Sequence, residues 1–134
     1  MTDVHTDNTQ LFPIDLTDCP QSIEEVYYLS ALPSDFELLE ESINDISIYT
    51  AYISSEGKTI TFHQSVKTAF KPHYNTEYFA LEEISVGNHL GISLEGKGDC
   101  IIAWDNEDYI LEIWADLSKL ETINLAKSTK VLKN

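Results

Sequence analysis

The sequence predicts an α+β fold: an N-terminal helical hairpin and a C-terminal helix packed on a mainly antiparallel β-sheet of about four to six strands. Three observations carry that expectation. Apolar residues between 20 and 46 recur at helical spacing. From residue 46 onward the period shortens to two, with short turns between apolar runs. Near the end, Ser118-Lys119-Leu120-Glu121 has the Ser-x-x-Glu spacing of a capping box.

Residues 1–10 are polar and are expected to be mobile, and residues 11–20, with Pro13 and Pro20, to be an irregular lead-in. Pro20 suits the first turn of a helix, where its missing N–H would have no partner. Ser22-Ile23-Glu24-Glu25 follows with capping-box spacing, Ile23, Val26, Tyr27 and Ser30 form one stripe, and Pro33 ends the segment. A second helix is expected to start at Ser34 or Asp35, with Phe36, Leu39, Ile43 and Ile46 as its apolar seam. Leu32-Pro33-Ser34 would join the two as an αα-hairpin.

Residues 46–54 are rich in Ile, Tyr and Thr, and Ser55-Glu56-Gly57-Lys58 reads as a turn before the alternating Thr59–His63, which together predict a β-hairpin. Between 64 and 86 the pattern is open: Val66–Phe70 extends the strand, Lys71-Pro72-His73 breaks it, and Thr76–Ile84 fits a helix or a strand. Leu90–Glu95, Cys100–Trp104 and Tyr109–Ala115 read as three antiparallel strands joined by the turns at 96–99 and 105–108. Cys100–Trp104 is apolar on both faces and is expected at the centre of the sheet. Leu120, Ile123 and Leu125 lead a short last helix, and 128–134 forms a short basic tail. All 134 residues are expected to make a single domain.

Charge separates the two ends of the chain. The net charge is −15, there is no Arg, and none of the eight Lys falls within the first 57 residues, which hold twelve of the 23 acids. A surface of that sign excludes phosphate neutralisation, and with it direct binding of nucleic acid or of anionic lipid. No export signal and no membrane span is legible, so the cytoplasm is the expected compartment. Cys19 and Cys100, without metal or redox spacing, are expected to be reduced core thiols.

Reaction chemistry finds little support. His5, His63, His73 and His89 form no HxH, HxxxH or HExxH pattern, so no metal and no cofactor is expected. A Cys100, His89 and Asp99 set has the right residue types, but Cys100 opens the most apolar strand, where a thiol is packing. Gly96-Lys97-Gly98-Asp99 lacks the spacing of a phosphate loop, and Asp105-Asn106-Glu107-Asp108 lacks that of an EF-hand. No catalytic residue is assigned and the chain is not expected to be an enzyme. A cleft near His63, His73 and Trp104 would be the place to look for one.

What remains is the acidic half. On a helix, Glu37, Glu41 and Asp45 fall at i, i+4 and i+8, with Glu40 beside them, and repeat about every 6 Å. Two phosphate steps on one DNA strand cover about 6.8 Å, so such a row suits a site built for phosphates. Glu24 and Tyr28 would add a carboxylate and an aromatic anchor on the first helix. In charge and size, though in no motif, the chain resembles small acidic inhibitors and immunity proteins that block basic nucleases, and DNA-mimic proteins of phages. The expected partner is therefore a basic protein, such as a nuclease or nucleic-acid-binding protein, contacted through Glu24, Tyr28, Glu37, Glu40, Glu41 and Asp45. A structural or adaptor subunit that binds through the sheet edge, its acids serving solubility, is the alternative. The sequence does not set the oligomeric state.

Overall fold

A computed structural model describes residues 14–70, 74 and 80–132. Among them are nine strands and one α-helix, not the expected helical hairpin on a smaller sheet. The strands are β1 (Tyr27–Leu29), β2 (Phe36–Ile43), β3 (Ser47–Ser54), β4 (Thr59–Val66), β5 (Ala80–Val86), β6 (His89–Glu95), β7 (Cys100–Asp105), β8 (Tyr109–Ala115) and β9 (Thr129–Val131); α1 spans Lys119–Lys127. Seven strands form an antiparallel sheet in the order β2-β3-β4-β8-β7-β6-β5, while β1 and β9 pair as a separate ribbon.

Both expected N-terminal helices are corrected, each for an identifiable reason. In the first, the backbone finds its partners far away in sequence. Glu24 N–H donates to the Tyr109 hydroxyl (2.9 Å), Tyr27 N–H to Gln64 Oε1 (3.1 Å), and Gln64 Nε2 donates to the Glu25 carbonyl (2.8 Å). These long-range bonds replace the i to i−4 bonds of a helix, and the chain enters β1. In the second, the like charges at i, i+4 that would oppose a helix have no Lys to pair with. The segment becomes β2, paired with β3, and a bulge between Leu38 and Glu40 resets its alternation.

Downstream, the expected strands are present and grow. β3 and β4 form the predicted hairpin, with Gly57 at φ +85° in its turn. β4 runs on to Val66 before a single 3-10 turn at Lys67–Ala69, and the ambiguous 80–86 stretch is a strand. α1 starts at the predicted capping box: Ser118 Oγ accepts from Glu121 N–H (3.1 Å), and Glu121 Oε1 accepts from Ser118 N–H (3.1 Å). Instead of being only a tail, 129–131 forms β9 against β1. The start at 1–10, His5, His73 and residues 133–134 lie outside the described residues.

The sheet has two differently covered faces. Ile60, Phe62, Ile102, Trp104, Leu111 and Ile113 project to one face, where Leu125 and Ala126 of α1 and Leu29 of β1 close the main core. Ile92, Leu94, Ile101, Ala103 and Ile110 project to the other, where Phe70 and Tyr74 pack over the β6, β7 and β8 portion. Close approach of β6 to β7 demands glycine at 91: a Cβ there would lie 2.4 Å from the Ala103 carbonyl oxygen. Lys67, its side chain 2% exposed, is held by Asp105 (3.0 Å) and by the Asp15 carbonyl (2.8 Å). No helix among the described residues is long and apolar enough to cross a membrane.

Candidate functional site

The six acidic-half candidates do not form one row. Glu37, Glu40 and Glu41 are exposed on β2, at the edge of the seven-stranded sheet. Because of the bulge, Glu37 and Glu40 stand opposite Ile53 and Ala51 on one face, whereas Glu41 stands opposite Thr50 on the α1 face. Asp45 lies in the turn after β2, and its carbonyl accepts from Ile23 N–H (2.7 Å), which brings the neighbouring Glu24 to that end of the edge. Tyr28 sits opposite Lys130 in the β1–β9 ribbon and does not join the others. Leu38 and Leu39 are exposed between Glu37 and Glu40, and Ile43 is exposed at the end of the strand.

A second feature lies on the face opposite α1. Strand register places Tyr49, His63, Glu112 and Ala103 in one row across β3, β4, β8 and β7, and Ala51, Thr61, Trp114 and Ile101 in the next. A cavity of about 390 Å³ opens over these rows, with Trp114 in its wall. Trp114 is 43% exposed, although the rest of β8 is buried. Its ring packs against Tyr74, with centroids 5.9 Å apart.

Glu112 is the polar centre of this wall. One carboxylate oxygen lies 3.4 Å from His63 Nδ1, and the other accepts a hydrogen bond from the Tyr74 hydroxyl. Burial, then the facing Glu112 charge, pushes the Tyr74 hydroxyl well above its ordinary pKa, so it stays a proton donor to Glu112. Farther along, Asp116 Oδ2 accepts from Thr59 N–H (2.9 Å) and Thr59 Oγ1 (3.1 Å). Among the described residues the cavity is lined by Glu112, Asp116 and Asp99 and by no Lys. No set of His, Cys, Asp and Glu among the described residues could hold a metal ion.

The residues named for nucleophilic chemistry are not assembled. Cys100 points into the main core under α1, and burial pushes its thiol up to about 11. His89 lies instead beside Glu107, at 3.8 Å. The expected cleft partner Trp104 is buried in the core; Trp114 takes its place beside His63. The signal for it was present, because Glu112 and Trp114 are two residues apart in a strand and must share a face.

Fold and surfaces together describe a seven-stranded sheet with a two-stranded ribbon, covered by a helix on one face, with an acidic edge strand and an aromatic cavity on the other face. Residues 26–129 match the family described as a domain of unknown function (DUF4367), and the chain belongs to that family. That match runs from the residue before β1 into β9 and so takes in the whole sheet. No curated protein matches the chain.

Proposed function

We propose that this is a non-enzymatic binding protein that blocks a basic site on another protein, a nuclease or nucleic-acid-binding protein being the best fit, and that it does so along the β2 edge. One observation carries the reading. β2 is an eight-residue edge strand, exposed over seven of its residues, in which Glu37, Glu40 and Glu41 are interspersed with exposed Leu38, Leu39 and Ile43. An edge offers unpaired backbone groups to an added strand. Carboxylates on it repel a second copy of themselves and attract a basic segment.

The pitch argued for a helix carries over to the strand. Glu37 and Glu40 stand opposite residues two apart on β3, a spacing of about 6.8 Å. That again equals about two phosphate steps of a nucleic-acid strand. Capture would come from charge, and residence from strand pairing and the leucines. A cytoplasmic location belongs to this reading and rests on two buried thiols, Cys19 and Cys100, that form no disulfide.

The test is capture from lysate of the source organism with the wild type and with the Glu37→Lys, Glu41→Lys double variant, eluted in steps of salt. The expected result is a basic protein that elutes at moderate salt and is absent from the variant, whose circular dichroism is unchanged. Reconstitution with that protein should slow amide exchange along β2. Equal capture by the folded variant would remove β2 from the reading. A partner that resists high salt would favour the adaptor reading, for which exposed Leu38, Leu39 and Ile43 are the support.

A further inference from the structure

We propose that the cavity beside Trp114 binds a small organic cation with a quaternary or alkylated ammonium head. The site is separate from the β2 edge in its contacts and in its chemistry.

The first argument is the aromatic wall. β8 is a central strand flanked by β4 and β7, and a tryptophan exposed near its C-terminal end, where Thr61 and Ile101 still flank it, is out of place unless something covers it. Tyr74 packs against this ring and fixes its position, and Tyr49 contributes a second aromatic wall on β3. Tryptophan has the strongest attraction of any side chain for a cation over its ring face. A volume of about 390 Å³ is in the range that small ligands occupy.

The second argument is charge. Among the described residues the cavity lining includes Asp99, Glu112 and Asp116, no Lys, and His63 held beside Glu112, on a chain of net charge −15. The three carboxylates and the net charge of the chain repel anionic ligands.

The third argument separates an onium ion from a sugar or a metal. Sugars and metals need free oxygen lone pairs. Here both Glu112 oxygens face His63 and Tyr74, and Asp116 Oδ2 is taken by Thr59. These partners occupy lone pairs on Glu112 and on Asp116 Oδ2, while the negative potential of all three lining carboxylates remains. A quaternary ammonium needs only that potential and the ring faces, since it has no N–H to donate.

The experiment follows the two indole N–H signals by NMR at constant ionic strength, with choline, its uncharged isostere 3,3-dimethylbutan-1-ol, and glucose as probes. Buried Trp104 is the internal control. Choline is expected to shift the Trp114 signal saturably and to bind at least about ten-fold more tightly than the isostere. Trp114→Leu, which removes the reporter signal, should abolish choline binding measured by isothermal titration calorimetry. Should that variant not fold, Tyr49→Ala should weaken choline binding several-fold. The inference is overturned by equal response to choline and its isostere, by a response to glucose alone, or by no saturable shift with any probe.

Discussion

Gln64 shows how one side chain decides a segment. It is 1% exposed, yet its amide accepts from Tyr27 N–H and donates to the Glu25 carbonyl, which ties the β1 approach to the sheet. Gln64→Leu keeps the volume and leaves both backbone groups without that partner, at a cost of about 2–4 kcal/mol in urea unfolding. A loss below about 0.5 kcal/mol would mean that water or a shifted backbone replaces the amide. Tyr74 governs the alkaline limit. Its folded pKa is raised above the ordinary 10.0 by burial and by Glu112, so its contribution is complete below pH 10 and is lost as pH rises beyond it, because only the unfolded chain releases the proton. Cys100, raised from 9.0 to about 11, acts in the same direction between those values. Unfolding followed from pH 8 to 12 should therefore show stability falling above pH 9. Tyr74→Phe should reduce the fall above pH 10 and leave the part from Cys100 and that from Tyr27, whose hydroxyl pKa burial also raises. An unchanged slope in that variant would put the titrating group elsewhere.

At the scale of elements, legibility followed locality. β6, β7, β8 and α1 were readable because their signals are local: alternation or a double-sided apolar run, short turns, a capping box. The segment that became β2 was misread because Phe36, Leu39 and Ile43 have helical spacing while the bulge that reconciles them with a strand is set by β3. The acids held the counter-signal, since an unpaired row at i, i+4 penalises a helix. β1 was beyond reach for a different reason: its register depends on Gln64, Tyr109 and β9, all distant in sequence. The same limit applies to the cavity. Tyr49, His63, Glu112 and Trp114 meet only through the β3-β4-β8 register, so sequence reading reached His63 but chose the core Trp104 over the exposed Trp114.

For the whole molecule, the charge asymmetry and the free edge make opposing demands that salt can separate. Two copies meeting edge to edge would bring Glu37, Glu40 and Glu41 against the same residues, while Leu38, Leu39 and Ile43 would favour contact. At about 20 mM salt the repulsion extends beyond 20 Å, and at about 1 M it is confined to about 3 Å. Self-association should therefore rise with salt, whereas affinity for a basic partner should fall. Sedimentation velocity at one protein concentration should show a monomer at low salt and a growing dimer fraction at high salt. Glu37→Gln with Glu41→Gln should dimerise already at low salt. A monomer under all these conditions would show that the exposed leucines are not adhesive and that the edge relies on charge alone. A wild-type dimer at low salt would show that the acids do not guard the edge, and would count against the heterotypic reading of β2.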